Sequence, residues 1–184
     1  MMMEIYRTER LIIRKWLETD SKDLYEYASN ELVGPNAGWA PHQDEEESLA
    51  VLQMFIENDD AYAVVLKSEN KVIGSIGLHD RKPDDNLADL AQGEIGYVLN
   101  PAYWGQGIIP EAVNGLIQYG FNEADLDLIW CGHFDFNHNS RRVVEKCGFT
   151  YRFQKNSRLE RLNNREVTTL YYNITKEEFE ASNQ

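Results

Sequence analysis

The chain has 184 residues, 42% hydrophobic and 27% charged, enough for one domain with a buried core and too apolar for a disordered chain. Its formal net charge of −13 excludes a non-specific nucleic-acid binder, which needs a basic footprint. The acidity serves either plain solubility or a cationic partner such as an amine or a basic protein tail. Met1–Lys15 carries charges throughout without a signal-peptide apolar run, and no stretch is long and apolar enough to span a membrane. A cytoplasmic protein without a membrane partner is therefore expected.

The first strand is expected over Arg10–Trp16, centred on Leu11, Ile12 and Ile13. Asp20 or Ser21 can cap a helix over Lys22–Ser29, and Val33–His42 reads as a loop carrying Trp39. Asp44 should cap a second helix to about Asn58. Its acidic first turn suits the helix dipole, and several apolar stripes predict that it is well buried. Tyr62–Leu66 and Val72–Leu78 flank a turn and read as a hairpin, followed by a polar loop over Arg81–Ala91.

Next comes the stretch with the most chemical content. An apolar strand, Ile95–Leu99, runs into a turn carrying Gly105-Gln106-Gly107, and Pro110 is expected to open a helix to about Glu123. Glycines let main chain approach a ligand, and free N–H groups at a helix start favour an anion. The stretch is either a phosphate cradle or an ordinary strand-to-helix turn. A Walker loop is excluded because no Gly-Lys-Ser/Thr follows. A dinucleotide fingerprint is excluded because Pro110 stands where its third glycine belongs.

Leu128–Phe134 reads as a strand, and Asn139 or Ser140 can cap a short helix that ends before Gly148. Tyr151–Leu162 and Glu166–Ile174 form a final hairpin around Asn163-Asn164. The fold class is α+β, one domain over residues 1–184 with a mixed, mostly antiparallel sheet. The two strands flanking the helix from Pro110 should be parallel. Ligands commonly sit at the carboxyl ends of strands joined this way. Cys131 and Cys147 read as small core residues. With His42, His79, His133 and His138 they show no metal-ligand spacing, so no metal site is expected.

Two motifs in order carry a resemblance. Tyr103-Trp104-Gly105-Gln106-Gly107 with Pro110-Glu111-Ala112, then Asn137-x-x-Ser140-x-Arg142-Val143-x-Glu145-Lys146-x-Gly148-Phe149, resemble the GNAT superfamily of acetyl-CoA-dependent N-acetyltransferases. With Thr8-Glu9-Arg10-Leu11-Ile12-Ile13-Arg14 as the opening strand, the chain looks most like the RimJ/RimL branch of ribosomal-protein N-acetyltransferases. The resemblance covers nearly the whole chain and implies acetyl-CoA as co-substrate. It implies that Gly105, Gln106, Gly107, Ile108 and Ile109 bind the pyrophosphate, and that Tyr97, Val98 and Leu99 pair with pantetheine and the acetyl group. It also implies that Asn137 holds pantetheine, that Ser140 approaches the sulfur, and that Arg142 and Lys146 supply positive charge near the cofactor. The chain departs from the superfamily in Trp104, where Arg or Gln is usual, and in Ile109, where Gly or Ala is usual. Val143 and Val144 also stand where many relatives carry a tyrosine acid.

The implied reaction is direct attack of an amine on the acetyl thioester. Glu94 opens the strand on the face of Gly96 and Val98 and is read as the general base, working through water; its alternative is a strand-end carboxylate. Glu111 is the rival acid, and its place in a helix first turn suits the dipole instead. Ser140 is the candidate acid. The acceptor is an amine-bearing partner, either a protein N-terminus or a small molecule such as an antibiotic or polyamine. A non-catalytic acyl-CoA-binding module on the same fold is the reading from another class. A homodimer is compatible with all of these.

Overall fold

The computed structural model describes residues 3–184; Met1 and Met2, part of the stretch read for a leader, lie outside it. The elements in chain order begin with β1 (Glu4–Arg7), β2 (Leu11–Arg14), α1 (Ser21–Ala28), α2 (Gly34–Ala37) and α3 (Glu45–Asn58). Then come β3 (Ala61–Leu66), β4 (Lys71–His79), β5 (Gln92–Leu99), α4 (Ile108–Asn122), β6 (Leu128–Phe134) and α5 (His138–Lys146). The chain closes with β7 (Thr150–Leu159), β8 (Arg165–Thr175) and α6 (Lys176–Ser182).

The strands form one sheet in the order β1-β2-β3-β4-β5-β6-β8-β7. Period-2 alternation splits the side chains between two cores. Leu11, Ile13, Val64, Leu66, Ile95 and Leu99 face α4, whose buried stripe is Ala112, Val113, Leu116, Ile117 and Phe121. Ala63, Val65 and Val72 face the other side and pack with Trp16, Leu24, Tyr27 and Leu52 of the α1–α3 layer.

Every strand pair is antiparallel except β5 with β6, as the crossover through α4 requires. That pair is also short. Its register ends at Ile95 opposite Cys131, while β5 stays paired with β4 to Leu99 and β6 with β8 to Phe134. Gly96–Leu99 and Gly132–Phe134 therefore diverge, leaving a fork about 13 Å long at 3.3 Å per residue.

Several sequence expectations are corrected. The first strand is preceded by a separate edge strand, β1, whose Tyr6 hydroxyl donates to the Ala112 carbonyl at 2.6 Å. The Asp20 side chain does not cap α1. It makes a buried bidentate pair with Arg14 at 2.8 and 2.9 Å, because a buried guanidinium outcompetes an exposed helix end for that carboxylate. Helix α3 is capped by Asp44 as expected, but it buries only the stripe through Ser48 and Leu52. Met54 and Ile56 are 53% and 43% exposed, since a helix on one side of a sheet buries one face. Helix α4 starts at Ile108, so Pro110 is its third residue, where its missing N–H still breaks no intrahelical bond. Asn137, not Asn139 or Ser140, caps α5, its side chain accepting from the Ser140 N–H. The Val33–His42 loop contains the single turn α2, and the chain ends in α6, whose Phe179 stacks on Phe121 at 4.8 Å.

Candidate active site

The mouth of the fork is built from backbone. Gly105 and Gly107 take left-handed conformations, at φ 74° and 72°, which an L side chain adopts only under strain. Gly107 caps α4 with its carbonyl accepting from the Glu111 N–H, and the amides of Ile108 and Ile109 have no intrahelical acceptor. The side chains of Ile108 and Ile109 are buried in the core, so the departure at Ile109 does not crowd the glycine turn. Trp104 uses its indole N–H to bond the Leu99 carbonyl at 3.0 Å, fixing the end of β5.

Two cations border this turn. A β-carbon placed on Gly107 would lie 3.6 Å from Arg10 Nη2 and 3.9 Å from Lys146 Nζ. Arg10, just before β2, has a position that the sequence motif does not reveal. Its Nη1 donates to the Gln106 carbonyl at 2.8 Å and its Nε to Glu111 at 2.7 Å, which leaves Nη2 on the glycine side. Glu111 also accepts from the Thr8 hydroxyl and the Arg10 N–H, at 2.5 and 2.8 Å. Burial alone would raise the Glu111 carboxyl; the hydrogen bonds and the Arg10 charge overcome it and hold the carboxyl below its usual range. A carboxylate so engaged fastens the amino-terminal segment to α4 and is a poor base. No local signal pairs Arg10 with Glu111, since they are 101 residues apart. Lys146 and Arg142, four residues apart on α5, share a face, and both are exposed.

Deeper in the fork, Gly96–Leu99 have no partner across the cleft. Their backbone edge is available, although the Leu99 carbonyl is shared with Trp104. The Tyr97 side chain turns into the core, its hydroxyl donating to the Ser140 carbonyl at 3.5 Å, and burial holds its ionisation well above the usual value. Val98 faces the α1–α3 layer. At the far wall, Ser140 is half-buried in the first turn of α5. Both ends of the Asn137 amide are engaged: Oδ1 accepts from the Ser140 N–H at 3.1 Å, and Nδ2 donates to the Asn36 carbonyl of α2 at 3.4 Å.

Glu94 lies one pair before the strands part, opposite Trp130. Its side chain is 14% exposed, with Arg81 Nη1 3.8 Å from one carboxylate oxygen. Burial raises its pKa above the ordinary 4.5, and the charges of Arg81 and His79 only partly oppose this. Loops and the final hairpin close in around the fork. Lys155 of β7 donates to the Pro83 carbonyl of the 81–91 loop, and Gly38 of the 33–42 loop abuts the Phe134 ring. Cys131 is fully buried, and burial pushes the Cys147 thiol up to about 11. Neither is a thiolate nucleophile, which favours direct transfer over an acyl-cysteine step. Among the described residues no group of three or more His, Cys, Asp or Glu could hold a metal ion, and no helix is long and apolar enough to cross a membrane.

Parting parallel strands over a glycine turn suit a long ligand that is anionic at one end and amide-rich along its length, which defines a coenzyme A-dependent acyltransferase. Residues 10–150 match the model of the family described as Acetyltransferase (GNAT) domain, and the chain belongs to that family. It is an N-acetyltransferase, and acetyl-CoA is its acetyl donor. The chain is 33% identical to "Uncharacterized N-acetyltransferase p20" of Bacillus licheniformis, over 69% of this chain and 71% of that protein. It is 30% identical to "Putative ribosomal N-acetyltransferase YdaF" of Bacillus subtilis, over 61% and 58%. A GNAT-family acetyltransferase of known structure from Bacillus anthracis superposes with a TM-score of 0.82 at 28% identity, covering 96% of this chain and 99% of that one.

Proposed function

We propose that the enzyme acetylates an α-amino group, a protein or peptide N-terminus, with Glu94 as the general base. The observation that carries this reading is Glu94 itself, a carboxylate kept basic by burial where β5 and β6 part. An α-amine, at pKa about 7.7–8.0, is neutral in about one molecule in six to eleven at pH 7, whereas a lysine amine is neutral in about one in 2,500. A moderate carboxylate base is better matched to removing the ammonium proton of the first than of the second. The acidic chain favours a basic protein acceptor, and the activity in the name of the Bacillus subtilis relative YdaF points the same way. Such a substrate would be met in the cytoplasm.

In this reading Gly105, Gln106, Gly107, Ile108 and Ile109 cradle the pyrophosphate, and Arg10, Arg142 and Lys146 supply the charge that Trp104 does not. The edge of Tyr97, Val98 and Leu99 pairs with pantetheine, and N–H groups near Val98 and Leu99 hold the carbonyl oxygen as it gains charge. The amine nitrogen bonds to the acetyl carbon, the carbon–sulfur bond breaks, and the departing sulfur takes up a proton from Ser140 or water. Asn137 acts by setting the first turn of α5 rather than by a free amide.

The test is a panel of N-terminal peptides, a lysine peptide blocked at its terminus, and polyamines, each assayed for thiol release from acetyl-CoA. Peptides with free α-amines should turn over fastest. Glu94→Gln should lower kcat by roughly 10²–10⁴ at pH 7 with acetyl-CoA binding unchanged, a deficit that shrinks as pH approaches the acceptor's own pKa. Turnover confined to polyamines would move the enzyme to the small-molecule class.

A further inference from the structure

The antiparallel register sets His79 of β4 directly opposite Glu94 of β5, and residues opposed in this way share a face. That face is the one of Gly96 and Val98, away from α4. The next pair toward the open end of the fork is Gly77 opposite Gly96, two residues without side chains. The imidazole fills this space. A β-carbon on Gly77 would come 2.8 Å from His79 Nε2, and one on Gly96 would come 3.3 Å from the same atom. The ring therefore lies over both glycines, and Nε2 sits above the first β5 residue beyond the last β5–β6 pair.

The other ring nitrogen is anchored. Nδ1 is 2.8 Å from Asp60 Oδ2, just before β3. An ionised carboxylate can only accept, so Nδ1 carries the proton and Nε2 keeps its lone pair. His133 and His42 differ. His133 is buried with both nitrogens engaged, by the Phe134 carbonyl and the Tyr172 hydroxyl, and His42 is buried against the Ser48 hydroxyl. The His79 side chain is 21% exposed and open to a partner at Nε2.

We infer that His79, held by Asp60, is a second proton acceptor on the attacking amine, beside Glu94. The proton count asks for two acceptors. An ammonium nitrogen that ends as an amide loses two protons: one before its lone pair can attack, one as the addition intermediate collapses. The nitrogen–carbon bond forms and the carbon–sulfur bond breaks. One of the two protons equals that taken up by the leaving thiolate, and the other goes to solvent. A lone carboxylate would have to discharge the first proton before accepting the second. Glu94 takes the ammonium proton, and His79 Nε2, lying over the first β5 residue beyond the last β5–β6 pair, takes the later one. Asp60 is a positioning residue. The charged and titratable groups facing the ring are Asp60, Glu94 and Arg81, with the Tyr171 phenol behind Glu94.

The inference rests on the chain being an acetyltransferase but not on which amine it uses, so the assay takes whichever panel amine the wild type acetylates fastest. His79→Gln should lower kcat roughly 10²-fold while the KM for acetyl-CoA and the acetyl-CoA-induced rise in Tm stay as in wild type. Free imidazole should restore part of the rate to His79→Ala. On the wild-type protein, a long-range ¹H–¹⁵N spectrum should show His79 protonated on Nδ1, and Asp60→Asn should disturb that state and lower kcat about tenfold. Wild-type kcat in His79→Gln, or an Nε2-protonated ring in the wild type, would overturn the assignment. A crippled His79→Gln beside a normal Glu94→Gln would instead sink the Glu94 role and leave this one standing.

Discussion

At the scale of single residues, Glu94 carries a conflict between chemistry and stability. Its folded pKa is raised, so the protonated form is the one the fold prefers. The linkage follows in sign: its contribution to stability is full below the ordinary value of 4.5 and is lost as pH rises through the higher folded value. At pH 7 the ionised carboxylate therefore destabilises the fold. Glu94→Gln should melt above the wild type at pH 7, and the gap should close as pH falls toward 4.5. A variant that melts lower at pH 7 would mean that the Arg81 charge outweighs burial. The Arg14–Asp20 pair is the opposite case, two buried charges that satisfy each other at 2.8 and 2.9 Å. Asp20→Ala leaves the guanidinium uncompensated and should cost about 3–5 kcal/mol, measured by urea denaturation. A loss no larger than that of a helix cap, about 1 kcal/mol, would return Asp20 to the capping role its sequence position suggests.

At the scale of elements, the parts legible in the sequence are those whose signal is local. Strand β6 falls on the residues expected, α4 ends within a residue of its expected end, and the parallel crossover follows from strand, helix, strand. Asn163 and Asn164 are both left-handed in the final turn, at φ 53° and 55°, as their side chains permit. What was missed depends on distant partners. Strand β1 has four residues and too little alternation to announce itself; α4, about a hundred residues on, gives Tyr6 its bond. Asp20 looked like a cap because the buried Arg14 facing it is a tertiary fact. Arg10 was in view as part of a motif, but its place beside Gly107 needs Glu111 and the whole sheet between them. The positive φ of the glycine turn was legible because it is written in residue type, and the proposed function makes that turn the phosphate cradle. Gly107→Val should therefore fold and yet lose the acetyl-CoA-induced stabilisation, which for the wild type is about 2.7 kcal/mol at a hundredfold excess over Kd. An unchanged Tm shift in that variant would separate the turn from the cofactor.

At the scale of the whole molecule, an enzyme of net charge −13 has to bind a polyanionic donor and a cationic acceptor. The structure separates the two. Arg10 and Lys146 border the glycine turn, and Arg142 shares the Lys146 face of α5. Glu94 and Asp60 stand on the α1–α3 side, each paired with a single cationic or titratable group, Arg81 and His79 respectively. On the proposed function, donor and acceptor would reach the fork from opposite faces of one sheet and meet where β5 and β6 part. What meets acetyl-CoA there, on that proposal, is an α-amine. This is tested most directly by giving the enzyme acetyl-CoA and a basic peptide with both a free N-terminus and a free lysine, then locating the acetyl group by fragment mass spectrometry. The account predicts acetylation of the α-nitrogen with the lysine left free; acetyl found on the lysine, or on neither nitrogen, would contradict it.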